Sequence, residues 1–166
     1  MFKNLLLPNP ATVFKRRYEI ARKYKKSKNL FGKIMFFIAY YRYCKYCNLH
    51  AVRIPLDCCE GLQVPHPECV AISRGTKVGD NLRIQKMTSV GPAFGTNKCP
   101  KIGNNVYIGP GAIIFGDIEI ADNCWIGANA VVTKSFLEPY SIIAGIPAKV
   151  IKKADGNWID AMNNKN

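Results

Sequence analysis

Acidic side chains are scarce in this chain of 166 residues, which holds 11 Asp and Glu against 24 Lys and Arg for a formal net charge of +13. The shortage is greatest in residues 1–50, where twelve basic residues face one acid, Glu19, giving +11. Such a segment suits an anionic partner. No nucleic-acid module signature accompanies the charge, so we expect no nucleic-acid partner. Peripheral membrane contact and a merely solvated helix face remain as alternatives.

Histidine is scarcer still, because His50 and His66 are the only two in the chain. A zinc enzyme with three histidine ligands is therefore disfavoured. The seven cysteines are odd in number, and the pair Cys44 and Cys47 has no second pair with ligand-like spacing. We expect no metal, and free thiols in a reducing, cytoplasmic compartment.

Long apolar runs are also absent. The longest, residues 30–41, has twelve residues and contains Lys33, whereas a spanning helix needs about 20. No signal-peptide pattern precedes this run. The sequence predicts no membrane-spanning helix, and it indicates two helical pieces within residues 12–47 that are interrupted at Gly32.

A period of six residues dominates what is present. From Ile72 to Val132 an aliphatic residue stands at every sixth position, and of these eleven positions only Thr96 fails. Neither the helical period of 3.6 nor the strand period of 2 generates such a series. The pattern indicates a β-helix with three short strands per turn and glycine, asparagine or aspartate at its corners, where positive φ is tolerated.

Stacked turns should place residues eighteen apart in one column. The expected columns are Ile72, Val90, Ile108 and Ile126, and Ile84, Ile102 and Ile120. The sequence therefore predicts an all-β solenoid, a parallel β-helix, with a short N-terminal helical segment. Its predicted ranges are a basic helical segment over residues 1–50, the β-helix with its C-terminal cap over 51–153, and a tail over 154–166, with residues 135–153 closing the last turn and running back along the solenoid.

The hexapeptides "IGNNVYIGPGAIIFGDIEIADNCWIGANAVVTK" and the following "AGIPAKVI" resemble the left-handed β-helix acyltransferases, most closely the serine acetyltransferase-like group. The resemblance covers residues 52–151. It implies a left-handed coil, a homotrimer, and acetyl-CoA as co-substrate in the groove between subunits. It also implies a histidine just before the regular turns as general base.

The stretch "VPHPECVAI" matches that histidine motif and makes His66 the candidate base. Val64 and Val70 are out of register by two with Ile72, so the chain must bulge at His66. The ordinary pKa of histidine, about 6.5, suits proton transfer at neutral pH. Three carboxylates are candidates to orient the imidazole, and the residues leave the choice open among Asp57, Glu60 and Glu68.

A loop is predicted over "GPAFGTNKCPK", residues 91–101, because it carries two glycines and two prolines around the failed position Thr96. In the resembled group a loop here projects over a neighbouring active site and carries a basic residue and a histidine, where this chain has Lys98 and Cys99. We expect these two residues at the acceptor site. A backbone N–H near Gly91 is the candidate for stabilising an oxyanion.

For acetyl-CoA, the positions that match the resembled group have small side chains or lack an N–H donor, and two lysines are candidates for its phosphates. These residues are Pro110, Ala128, Ala144 and Gly145, with Lys134 and Lys149. The resemblance implies an acetyl-CoA-dependent O-acetyltransferase. The departures at Lys98 and Cys99 favour a sugar hydroxyl of polysaccharide biosynthesis as acceptor, with serine as the alternative and a non-catalytic trimeric scaffold as the reading from another class.

Overall fold

The computed structural model describes the backbone of residues 9–163 and the side chains of residues 9–160. Residues 1–8 and 164–166, which the predicted N-terminal segment and tail include, lie outside the described residues. The division into residues 1–50, 51–153 and 154–166 stays a prediction.

Two helices precede the β-structure, α1 (Pro10–Lys25) and α2 (Leu30–Leu49). The predicted interruption at Gly32 is wrong, because the break falls at residues 26–29 and Gly32 lies inside the first turn of α2. The side chain of Asn29 caps α2 by accepting a hydrogen bond from the Gly32 N–H at 2.7 Å. Glycine is needed there for packing, since a Cβ would lie 1.8 Å from the Ser27 hydroxyl.

Twelve short strands follow and stack into three sheets. The strands are β1 (Ala71–Ile72), β2 (Lys77–Val78), β3 (Arg83–Ile84), β4 (Ser89–Gly91), β5 (Lys101–Ile102), β6 (Tyr107–Ile108), β7 (Ile113–Phe115), β8 (Glu119–Ile120), β9 (Trp125–Ile126), β10 (Val131–Val132), β11 (Ser141–Ala144) and β12 (Lys149–Lys153). The first sheet has the order β1-β4-β7-β10, the second β2-β5-β8, and the third β3-β6-β9-β11-β12. All pairs are parallel except β11 with β12, so the chain winds repeatedly from the first sheet to the second, the third and the first again.

The predicted columns fail after Val90. Val90 pairs with Ile114, which is 24 residues on, and Ile108 pairs with Ile84 and Ile126 instead. The reason is that residues 92–97 leave the wall as a loop, which adds one hexapeptide to that turn. The columns are Ile72, Val90, Ile114 and Val132; Val78, Ile102 and Ile120; and Ile84, Ile108, Ile126 and Ile143.

The inward aliphatics form one continuous core. Ile84, Ile108 and Ile126 are fully buried, and each contributes about 1.5–3 kcal/mol by leaving water. The corner between the second and third sheets is closed by an asparagine ladder, in which the Asn81 amide donates to Asn105 and the Asn105 amide to Asn123, both at 3.0 Å. These asparagines have positive φ, as the sequence predicted for corners.

The C-terminal part turns back along the solenoid. Strand β11 continues the third sheet, and β12 pairs with it antiparallel. A short helix, α3 (Trp158–Asn163), follows. Its buried Trp158 ring lies 5.5 Å from the guanidinium of Arg83 in β3, so the end of the chain reaches an early turn. Between residues 9 and 163 no helix is long and apolar enough to cross a bilayer.

Candidate functional site

His66 lies in a two-residue insertion where the chain passes from the third sheet to the first. Gln63 bridges to Arg83, which sets Val64 beside Ile84. From Ile84 to Val90 the corner takes six residues, whereas from Val64 to Ile72 it takes eight. The bulge predicted from the register is therefore present, and its extra residues are Pro65 and His66.

The insertion holds the histidine outward. The His66 side chain is exposed, while Pro67 beside it is fully buried. The His66 carbonyl accepts a hydrogen bond from the Glu68 N–H at 2.8 Å, which closes the turn. An exposed imidazole at a corner of the prism is available to a ligand lying along that corner.

Two of the three candidate carboxylates are already engaged by α1. Asp57 pairs with Lys25 at 3.1 Å, and this hydrogen bond lowers the pKa of the Asp57 carboxyl. Glu60 is bound by the guanidinium of Arg22. The Glu68 carboxylate has no ion pair or hydrogen bond among residues 9–160, which makes it the carboxylate left to orient His66.

One row of residues continues this corner across the turns. The N–H groups of Met87, Gly111 and Asn129 donate to the carbonyls of the corner residues one turn back, at 2.9, 3.1 and 2.9 Å. Those bonds stack Glu68, Lys86, Pro110 and Ala128, which we call the corner row. At about 4.8 Å per turn the corner row is roughly 14 Å long.

The last two small residues predicted for acetyl-CoA extend the corner row. A Cβ built on Gly127 would lie 2.9 Å from the Cβ of Ala144, and the Gly145 carbonyl accepts from the Val131 N–H at 3.1 Å. Lys149 is exposed and lies opposite Ala144 on β12. The structure thus brings His66, the small residues and Lys149 to one corner.

The remaining candidates lie at the next corner, between the first and second sheets. Lys98 pairs with Asp117 at 2.9 Å, and this hydrogen bond raises the pKa of the Lys98 ammonium. A Cβ on Gly75 would lie 2.9 Å from the Cys99 sulfur, so the thiol faces its own solenoid. Lys134 is exposed at the same corner, 5.6 Å from the Phe136 ring.

Gly91 ends β4 beside Phe115 and leads into the loop. A Cβ there would lie 2.5 Å from the Ser73 hydroxyl, so packing alone requires a glycine. Within one chain, neither Gly91 nor the loop joins His66 at its corner.

Sequence reasoning missed two residues at this site. Lys86 is exposed in the corner row between Glu68 and Pro110, and the carbonyl of His50 lies one turn before Glu68, accepting from the Cys69 N–H at 2.9 Å. The available signal was the failed position Thr96. Treating it as a six-residue loop and counting 24 back from Pro110 gives Lys86.

No cluster of three His, Cys, Asp or Glu that suits a metal ion occurs among the described residues. All seven cysteines are free thiols.

Comparison with known proteins points to one family. The model of the bacterial transferase hexapeptide (six repeats) matches residues 99–134. The serine acetyltransferase of Staphylococcus aureus strain Mu50 is 38% identical over 97 residues, which are 55% of this chain and 44% of that protein. The serine acetyltransferase of Mycobacterium tuberculosis is 36% identical over 90 residues, 53% of this chain and 39% of that protein. The chain therefore spans less than half the length of these curated relatives.

Solved structures agree on the fold. The serine acetyltransferase of Brucella abortus in complex with coenzyme A matches with a TM-score of 0.70 and 24% identity, covering 91% of this chain and 59% of that one. The enzyme of Neisseria gonorrhoeae matches with a TM-score of 0.67 and 25% identity, covering 97% and 61%. The predicted fold class and the predicted resemblance are confirmed. Residues 99–134 carry the bacterial transferase hexapeptide repeat, and the chain is a hexapeptide-repeat protein whose left-handed parallel β-helix is of the serine acetyltransferase-like group.

Proposed function

We propose that the protein is an acetyl-CoA-dependent O-acetyltransferase with His66 as general base. The observation that carries the proposal is the exposed histidine at the head of the corner row, whose later members are the small residues expected to contact acetyl-CoA. The relatives named serine acetyltransferase support the same chemistry, as does the neighbour solved with coenzyme A.

The proposed reaction is a direct transfer. His66 takes the proton of the acceptor hydroxyl while its oxygen attacks the thioester carbonyl of acetyl-CoA. The oxyanion is stabilised by a backbone N–H, for which Gly91 is the candidate. When the C–S bond breaks, the imidazolium returns its proton to the CoA thiolate. Glu68 is the proposed positioning residue for the imidazole.

Acetyl-CoA is proposed to lie along the corner row. Pro110, Ala128, Ala144 and Gly145 present little side-chain bulk, so the pantetheine arm can approach the backbone there. Lys149 and the newly identified Lys86 are the proposed phosphate contacts from this chain.

A homotrimer completes the proposed site. Lys98, Cys99 and Lys134 lie at another corner of the chain that carries them, so they act only on the corner row of a neighbouring subunit. Such head-to-tail contacts close into a ring when three copies meet.

Serine is the better-supported acceptor, because the relatives reported above are named for it. The sugar hydroxyl expected from the sequence has no support among these relatives. It stays a second candidate for one reason: Cys99 stands where the resembled group has a histidine. A cytoplasmic location and membrane contact of the basic N-terminal segment likewise stay proposals.

The test is acetyl-CoA-dependent thiol release with serine, nucleotide sugars and simple glycosides. His66→Ala should lower kcat/KM by roughly 10²-fold or more. Thr133→Ala, at an exposed position away from the corner row, should leave the rate unchanged and serves as the control. A His66→Ala protein with the wild-type rate would refute the assignment of the base.

The acceptor and the scaffold alternative are decided in the same assay. Serine should give the highest kcat/KM, and faster turnover of a sugar would reverse the order of the two candidates. A wild-type protein that releases no thiol with any acceptor, and whose Tm does not rise with millimolar acetyl-CoA, would establish the scaffold reading.

A further inference from the structure

Helix α2 is apolar on two opposite faces. Its inner face packs against α1 and the first turn of the β-helix through Gly32, Ala39, Tyr43, Tyr46 and Cys47, all buried. Its outer face carries six large apolar side chains that are 46–75% exposed. They are Leu30, Phe31, Ile34, Phe37, Ile38 and Tyr41, and we call them the outer stripe.

The outer stripe is continuous along the helix. Leu30, Ile34, Phe37 and Tyr41 follow the spacing i, i+4, i+7 and i+11, which places them on one line about 17 Å long. Phe31 and Ile38 widen that line on one side. A helix that is apolar all round is normally covered on both faces, so the outer stripe calls for a partner.

Rotation of α2 cannot bury the outer stripe within the chain. The Tyr43 hydroxyl donates to the Ile54 carbonyl at 2.7 Å, and the Tyr46 hydroxyl donates to the Pro10 carbonyl at 2.9 Å. At its end the His50 carbonyl accepts from the Cys69 N–H. These bonds fix the inner face on the β-helix and leave the outer stripe facing away.

Basic side chains border the outer stripe. Lys33 lies along one flank, and Arg42 and Lys45 along the other, as the 100° spacing of helix positions requires. All three are exposed. The single acid of residues 1–50, Glu19, is already paired with Lys15. The surface around the outer stripe is therefore apolar and positively charged, with no compensating acid on either helix.

We propose that the outer stripe docks on the surface of an anionic lipid bilayer. Helix α2 lies in the interfacial plane, with the outer stripe at the boundary of headgroups and acyl chains and the lysines and arginine near lipid phosphates. A second copy of this chain is the less favourable occupant, because each copy brings the same excess of +11 in residues 1–50 and the two surfaces repel. The proposal does not depend on acetyl transfer.

The test is co-sedimentation of the full chain with vesicles of phosphatidylcholine alone or with 30% phosphatidylglycerol, without acetyl-CoA. We expect binding to the anionic vesicles that weakens with salt, and little binding to the neutral ones. Phe37→Ser combined with Ile34→Ser should weaken binding at least tenfold. Leu137→Ser, which removes an equally exposed apolar side chain at a corner of the β-helix, should leave it unchanged.

A charge variant keeps the test valid if the stripe variant folds poorly. Lys33→Ala with Lys45→Ala alters only exposed side chains and should weaken anionic-vesicle binding by roughly an order of magnitude. Failure of the wild type to bind anionic vesicles would overturn the proposal. So would wild-type self-association at micromolar concentration that the stripe variant abolishes without changing vesicle binding, since the occupant would then be a second copy.

Discussion

Proline on both sides of His66 has a specific consequence for the β-ladder. In later turns the residue after the inward aliphatic donates its N–H to the next turn, as Gln85 does to Ile108 at 3.0 Å and Gly109 to Ile126 at 2.8 Å. Pro65 follows Val64 and has no N–H to donate to Ile84. Because that bond is absent, the corner is free to take two more residues, and His66 is one of them.

Deleting Pro65 and His66 together tests this account. The deletion joins Val64 to Pro67 and restores the six-residue corner, so we expect Tm to change by only a few degrees while thiol release falls at least as far as in His66→Ala. Circular dichroism melts and the thiol assay measure the two effects. Full activity in the deletion variant would show that the insertion has no part in catalysis.

The buried column residues should dominate stability. Ile108→Ala removes a fully buried side chain between Ile84 and Ile126, and we expect a loss of about 2–5 kcal/mol in the free energy of unfolding. Ile151→Ala removes the same atoms from an exposed position on β12 and should cost under about 1 kcal/mol. Urea unfolding of both variants at one protein concentration gives the comparison, and equal losses would contradict the assigned core.

At the scale of the strand stack, one glycine is fixed by the approach of the next turn. A Cβ on Gly109 would lie 2.8 Å from the Ala128 nitrogen and 2.9 Å from the Ile126 carbonyl oxygen, both backbone atoms that cannot move aside. Gly109→Ala should therefore cost about 1–3 kcal/mol by overpacking.

Gly95 is the matched control for that variant. It has a φ of +78° but no atom within 4 Å of its would-be Cβ, so Gly95→Ala pays only the conformational cost of about 1–2 kcal/mol in an exposed loop. The Tm of Gly109→Ala should be the lower of the two. The reverse order would mean that turns do not contact there as closely as described.

The loop can be removed as a unit of six residues. Deleting residues 92–97 leaves Lys98 and Cys99 in place and reduces the turn from 24 residues to 18, the spacing that Ile114 and Val132 already show. We expect the β-helix to keep its Tm within several degrees, because the deleted side chains are mostly exposed. A variant that no longer folds would show that the loop is part of the core structure.

At the scale of the whole molecule, the two corners make a prediction about assembly. If the loop of one subunit completes the corner row of the next, His66→Ala and the loop deletion should each be inactive as pure trimers. Refolded together at equal amounts, they should regain about one site in four, because one pairing in four joins two intact halves. Size-exclusion chromatography with light scattering should give three times the mass of the chain, and inactivity of the mixture would contradict a shared site.

Much of the fold was open to prediction from the sequence. Ten aliphatics in eleven positions at a period of six have few explanations other than a β-helix, and each inward position is occupied as expected apart from Thr96 in its loop. His66 also stood out, because the shift of two between Val70 and Ile72 marks a bulge without any coordinates. Local spacing determines both features, since each depends on residues close together in the chain.

The tertiary structure alone decided which residues share a corner. The loop at residues 92–97 adds a hexapeptide without breaking the count of six, so the count cannot show that Ile114 and not Ile108 lies beside Val90. Lys86 and the engagement of Asp57 and Glu60 by α1 were hidden for the same reason. The sequence by itself determined the β-helix and the place of its histidine, whereas the company of that histidine and the exposure of the outer stripe follow from contacts between distant segments, which a period along the chain does not encode.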